Sequence, residues 1–162
     1  MLFVFLETFK ELNMKIRKAN INDAESLKTL YFEYLTMYPP KEEQNMDDWR
    51  KIIKKMEESE NMYLLVAEED GKAVSSVCMV IVDNLTHNLR PYAVIENVVT
   101  HGAYQKRGFA SALLQEAISI AKASNCYKVF LETGSNKEST LNFYRNNGFV
   151  LDKKHSCMIR FE

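Results

Sequence analysis

The chain has 162 residues, 46% of them apolar, with 21 basic against 22 acidic side chains and a formal net charge of −1. That length and composition fit one globular domain with its own core. The near balance of charge argues against a nucleic-acid partner, which usually shows as a basic excess, and no apolar run approaches the ~18 residues of a membrane span.

The opening MLFVFLETFKELN lacks a basic leader and a small-residue cleavage site, and Glu7, Lys10 and Glu11 interrupt it, so a secretory signal is not expected. Met14 begins a smoother stretch. Residues 1–13 are therefore set apart as an N-terminal extension, and 14–162 as a single domain. KIRKA predicts a short strand, and Asn22 or Asp23 is the expected cap of the following helix. The apolar positions Leu27, Leu30, Tyr31, Tyr34 and Leu35 recur at helical spacing until Pro39 and Pro40 end it. A second helix is expected from Asp47 to Glu58. Its KIIKK run reads as a solvated face rather than a phosphate-binding patch.

MYLLVAEEDGKAVSSVCMVIV is two strands about Asp70–Gly71, a strong hairpin signal. After a polar loop at 83–91, YAVIENVVTH predicts a strand, followed by a glycine-bearing stretch, a helix to Ala123 and the strand KVFLET. Strand, crossover helix, strand implies a parallel unit. ESTLNFYRNNGF predicts a last helix with Gly148 after it as C-cap, and FVLDKKHSCMIRF a final hairpin around Asp152 to His155. The fold class is mixed α/β. Cys78, Cys126 and Cys157 are odd in number with no C-x-x-C pair, so neither a disulfide framework nor a metal site is expected, and a reducing cytoplasm is the simplest location.

The stretch YQKRGFASALL carries the main chemical signal. A helix beginning at Gly108 presents unpaired N–H groups and a positive dipole end, small residues at Ala110 and Ser111 allow close approach, and Gln105, Lys106 and Arg107 add donors and charge. The alternative is a plain helix start with surface charges beside it. Neither a P-loop pattern nor G-x-G-x-x-G is present.

Residues 105–110, Gln-Lys-Arg-Gly-Phe-Ala, resemble the [RQ]-x-x-G-x-[GA] coenzyme A signature of the GNAT N-acetyltransferases. The strand ending VVTH before it and TLNFYRNNGF after the next strand match that family's order and spacing across 14–161. The resemblance implies a GNAT fold, with a mostly antiparallel central sheet, a splayed parallel strand pair and flanking helices. It implies acetyl-CoA as co-substrate, with Val98, Val99 and Thr100 meeting the pantetheine arm and Gln105, Lys106, Arg107, Gly108, Phe109, Ala110 and Ser111 the pyrophosphate. Ser139, Thr140 and Phe143 complete the implied cofactor contacts. His101-Gly102-Ala103 departs from the family's proline-containing turn, and Ser139 stands where many members have asparagine.

Acetyl transfer needs a neutral amine. An alkylamine of pKa near 10.4 is only about a thousandth neutral at pH 7.4, a handicap of roughly 4 kcal/mol. Glu96, interrupting an apolar strand and by alternation sharing a face with Val94 and Val98, is the candidate base or water-positioner, provided that burial raises its pKa or a water relays the proton. The other reading is that Glu96 binds the acceptor or pairs with a basic core neighbour. Tyr144 matches the tyrosine that in many family members protonates the leaving thiolate; otherwise it is a core aromatic beside Phe143. The expected acceptor is a primary amine of a small molecule or peptide, attacking directly in a ternary complex, its specificity expected from the first two helices and the loop between them. IENVVTH and NCYKVFLET resemble the subgroup acting on glucosamine 6-phosphate, for which Arg90 or His87 would supply a cation. A non-catalytic coenzyme A sensor is the competing class. The final strands of this family often meet a partner, so a homodimer is compatible with KKHSCMIRF.

Overall fold

The structure is a computed structural model that describes residues 14–36, 38, 40–151 and 157–161. Among them the sheet has the order β1-β2-β3-β4-β5, formed by β1 (Lys15–Lys18), β2 (Met62–Glu69), β3 (Lys72–Val82), β4 (Tyr92–Thr100) and β5 (Val129–Leu131). The first four pair antiparallel and β5 runs parallel to β4, as the sequence implied. Asp70 and Gly71 have φ of 51° and 78°, the two positive values that a tight hairpin between β2 and β3 requires.

Helices cover both faces. On one, α3 (Phe109–Ala123) lays Phe109, Leu113 and Leu114, each at most 1% exposed, over Leu65, Val77, Met79 and Ile95. Burying each such side chain contributes about 1.5–3 kcal/mol. On the other, α1 (Ala24–Thr29), its continuation Leu30–Leu35 and α2 (Met46–Glu57) bring Leu27, Leu30 and Ile53 onto Leu64, Val66, Cys78 and Val99. Leu30–Leu35 is a π turn rather than the regular helix that the apolar spacing suggested; Thr36 N–H reaches Tyr31 C=O five residues back, at 2.9 Å, and Thr36 itself is extended. Of the two expected terminating prolines, Pro39 lies outside the described residues.

Asn20 caps the 3-10 turn Ile21–Asp23 that leads into α1, while Asp23 stands at the N-cap position of α1 itself without a side-chain capping bond there, and Asn22 caps neither. The Asn20 side chain accepts from Asn22 N–H at 2.9 Å, while Asp23 accepts from Asn20 N–H at 2.9 Å. Asp23 has a second role that its position in the sequence hid: Arg17 grips it with both guanidinium nitrogens, at 2.7 and 2.9 Å, and reaches Glu68 at 2.8 Å. β1, β2 and the start of α1 are thereby tied together. At the far end α4 (Glu138–Asn146) closes with Gly148 at φ 92°, Gly148 N–H on Arg145 C=O and Phe149 N–H on Tyr144 C=O, the paired bonds of a Schellman motif.

One irregularity in β4 resets its faces. Cys78 stands opposite Glu96 and Ser76 opposite Val99, so Asn97 and Val98 together oppose Val77, and Asn97 has φ 55°. Ala93 and Ile95 face α3 before this bulge; after it Val98 does so, and Val99 turns to the α1 and α2 side. The expected common face of Val94, Glu96 and Val98 is therefore corrected: Val98 looks the other way.

The N-terminal extension at 1–13 lies outside the described residues, as does the turn of the expected final hairpin. The flanking 149–151 and 157–161 form no strand, and Met158, Ile159 and Phe161 are exposed. No described helix is long and apolar enough to cross a membrane.

Asp23→Ala leaves Arg17 half-buried without its main partner and removes an N-terminal cap contact. We expect a loss of about 2–3 kcal/mol in urea unfolding, against under about 1 kcal/mol for the more exposed Asp47→Ala.

Candidate active site

β4 and β5 pair only from Ala93↔Val129 to Ile95↔Leu131. Beyond that point β4 bulges and β5 ends, so the last residues of β4 have no strand beside them on this edge. A cleft of about 350 Å³ opens there, walled by Val98, Val99 and Thr100 of β4, by Tyr104, Gln105, Lys106 and Gly108 of the following loop, by Phe109, Ala110 and Ser111 of α3, and by Ser139, Thr140, Phe143 and Tyr144 of α4. All but one of the residues expected to meet coenzyme A line this single cleft, and Tyr144 lines it too.

The loop is shaped for backbone presentation. His101 C=O accepts from Tyr104 N–H at 2.8 Å in a short 3-10 turn, Lys106 has φ 60°, and Gly108 at φ 89° starts α3 with no side chain to cap its first N–H groups. Those donors and the helix dipole favour an anion by roughly 0.3–1 kcal/mol per contact when exposed, more when sheltered. A Cβ on Gly108 would meet nothing within 4 Å, so glycine is required here by backbone conformation and not by crowding.

Arg107 is the exception among the expected residues. Its guanidinium pairs with Glu69 and lies 5.1 and 5.2 Å from the ring centres of Tyr104 and Phe109, outside the cleft lining. A carboxylate and two π faces hold it on the outside of the loop, so Lys106 supplies the charge at the cleft itself.

Two residues that sequence reasoning missed hold the cleft walls. Buried Ser75 donates its hydroxyl to Val99 C=O at 2.8 Å and meets Thr100 Oγ1 at 2.7 Å, fixing β4 where its ladder is irregular. Asn147, also buried, donates to Ser111 Oγ at 3.2 Å and Phe143 C=O at 2.8 Å, and receives Gln115 at 3.3 Å, which locks α4 to α3. A serine inside an apolar strand and an asparagine at a helix end were the available signals, but neither reveals its partner.

Tyr144 is 8% exposed, edge-on to Phe143 and Phe149, and its hydroxyl makes no hydrogen bond to a described residue. Burial pushes this phenol above its ordinary value of 10.0. Glu96 is exposed and does not line the cleft, so of the two conditions set for a base, burial and a water relay, burial is not met. Directly opposite Cys78, it lies on the α1 and α2 face of the sheet, whereas Tyr144 packs with the α3 core. Burial, reinforced by the Glu96 carboxylate, pushes the Cys78 thiol up to about 11, and burial pushes the nearby Tyr31 phenol up to about 12.

Arg90 and His87 sit beyond the opposite end of β4, about 25 Å or more from its cleft end by strand rise. Arg90 donates to the carbonyls of Asn125 and Cys126 at 3.1 and 3.0 Å, and His87 stacks on Tyr127 at 3.8 Å. Neither is presented to the cleft. No group of three or more metal-capable side chains gathers among the described residues.

A β-strand end, a glycine-started helix and a tyrosine-bearing helix thus surround one slot. The model of the acetyltransferase (GNAT) family matches residues 24–149, and the chain belongs to that family. It is 33% identical over 92 residues to glucosamine 6-phosphate N-acetyltransferase of Trypanosoma brucei brucei, a match over 57% of this chain and 58% of that protein. It is 30% identical over 102 residues to streptothricin acetyltransferase A of Bacillus subtilis (strain 168), over 60% and 58%. These matches span less than two thirds of either relative. Among solved structures, a protein of Agrobacterium tumefaciens str. C58 superimposes with a TM-score of 0.82 at 35% identity, covering 90% of this chain and 99% of that one.

Gly108→Ala should lower the unfolding free energy by about 1–2 kcal/mol although no atom obstructs the added methyl, as read from denaturant curves. At pH 8 in the native state an aromatic disulfide reagent should modify exposed Cys157 fast and Cys78 only after unfolding, with sites identified by peptide mapping.

Proposed function

We propose that the protein transfers the acetyl group of acetyl-CoA to a primary amine of a small molecule or peptide by direct attack in a ternary complex. The observation that carries this reading is the single cleft at the β4–β5 splay, where the end of a strand, the uncapped start of α3 and the Tyr144 phenol converge. Backbone groups of Val98 to Thr100 suit an extended amide-bearing arm, and the Gly108 helix start with Lys106 suits a pyrophosphate.

The chemistry divides between the two faces of β4. The amine nitrogen forms a bond to the acetyl carbon, the C–S bond breaks, and its electron pair leaves on sulfur. Tyr144 donates a hydrogen bond, and finally a proton, to that sulfur, and the second proton shed by the attacking nitrogen on forming the amide restores the phenol; burial keeps the phenol protonated at neutral pH. Glu96, on the side of the acceptor helices, takes the ammonium proton through a water. Its exposure favours this relay over direct abstraction, for which desolvation would be needed.

A narrower reading, acetylation of glucosamine 6-phosphate, is supported by the trypanosomal relative and the IENVVTH segment. It requires a cation near the Glu96 face, and Arg90 is bonded to carbonyls elsewhere. The broader amine acceptor is therefore preferred.

Tyr144→Phe should lower kcat on the order of 100-fold while leaving the affinity for acetyl-CoA within about twofold, measured by thiol release over a panel of amines and by calorimetry. A chain that binds acetyl-CoA and releases no thiol with any amine would be a sensor instead. The raised phenol favours the folded state below pH 10, so any rate loss from its ionisation should appear only above pH 10 and be absent in the phenylalanine variant.

A further inference from the structure

We propose that Tyr34 and His101 form a brace between the acceptor-side helix and the cofactor loop, so that both are positioning residues for acetyl-CoA; this rests on the acetyl-CoA reading of the cleft. His101 follows the last residue of β4 and keeps that strand's pairing going, its N–H on Val74 C=O at 2.9 Å. Its Nδ1 accepts from Ala103 N–H at 3.2 Å, which assigns the ring proton of the neutral form to Nε2. That nitrogen lies 3.1 Å from the Tyr34 hydroxyl and donates to it.

The contact is more than one hydrogen bond. The two rings are 4.5 Å apart, and a Cβ on Gly102 would come within 3.0 Å of the Tyr34 ring, so the tyrosine lies directly against the loop backbone. Tyr34 belongs to the π turn Leu30–Leu35, a feature often associated with functional positions. From His101 the contacts continue edge-on to Tyr104 at 5.5 Å and from Tyr104 to Phe109 at 5.9 Å, and both of those rings line the cleft. Arg107 holds the opposite side of the loop to β2 through Glu69. The loop is thus clamped from two directions, and only the Tyr34 clamp leads to the helices expected to meet the acceptor. A shift of the π turn by an arriving acceptor would alter the loop, and the coupling would act equally in reverse.

The test is calorimetric titration of acetyl-CoA into the full chain as wild type, Tyr34→Phe, His101→Asn and the double variant, with thermal midpoints recorded alongside. Asparagine keeps an oxygen in place to accept from Ala103 but is too short to reach Tyr34. Each single variant should weaken binding about 3- to 10-fold, and the double no more than the weaker single, because both remove one interaction. Wild-type binding with unchanged affinity in both single variants, or effects that multiply in the double, would overturn the brace while leaving the cleft reading intact. No binding by the wild type would overturn the cleft reading and the brace together.

Discussion

The bulge at Asn97 is the constraint on which the rest depends. An extra residue in β4 at a left-handed φ of 55° breaks the ladder with β3 and turns the strand at the point where β5 gives out. Without it β4 would remain a flat interior strand with its backbone occupied on both sides. With it, Val98 to Thr100 are freed on one edge, and the resulting slot receives the start of α3 and the side of α4. Ser75, buried beside the irregularity, adds a hydroxyl bond to the carbonyl of Val99 and so ties β3 to β4 just past the bulge.

The same bulge separates the two residues to which chemical roles are proposed. Tyr144 reaches the slot from the α3 side in an apolar, aromatic setting that favours its neutral form. Glu96 stands on the other face, across from Cys78 and in contact with solvent. On the proposed reading a co-substrate entering from one side and an amine from the other would meet only at the splay, with β4 as the partition between them. The two faces are joined mechanically as well, since the loop that shapes the slot touches the acceptor-side helix at Tyr34 and β2 at Glu69.

Much of this arrangement was legible in the sequence because the signals are local. Asp70–Gly71 has a unique turn geometry, the Gly108 stretch announces a helix start open to anions, and Gly148 marks a helix end by its positive φ. The residues that line the slot are, Tyr104 and Tyr144 aside, ones that the resemblance to the GNAT family implied as cofactor contacts. What the sequence hid depends on long-range pairing. Alternation assigned Glu96, Val94 and Val98 to one face, which fails as soon as one residue bulges, and nothing in IENVV announces a bulge. Asn22 and Asp23 both looked like helix caps; only the approach of Arg17 along β1 explains why Asp23 faces inward and Asn20 caps instead. Arg107 looked equivalent to Lys106 until Glu69, thirty-eight residues earlier, drew it away.

The central claim is that the slot at the splay, and no other part of the described chain, holds coenzyme A. Amide hydrogen exchange followed by mass spectrometry, with and without saturating acetyl-CoA, tests it most directly. The account predicts new protection concentrated in 98–111 and 139–144. Unchanged exchange in those segments under conditions where acetyl-CoA is bound, or protection centred instead on the separate cavity beside Leu35 and Gly134 to Lys137, would contradict it.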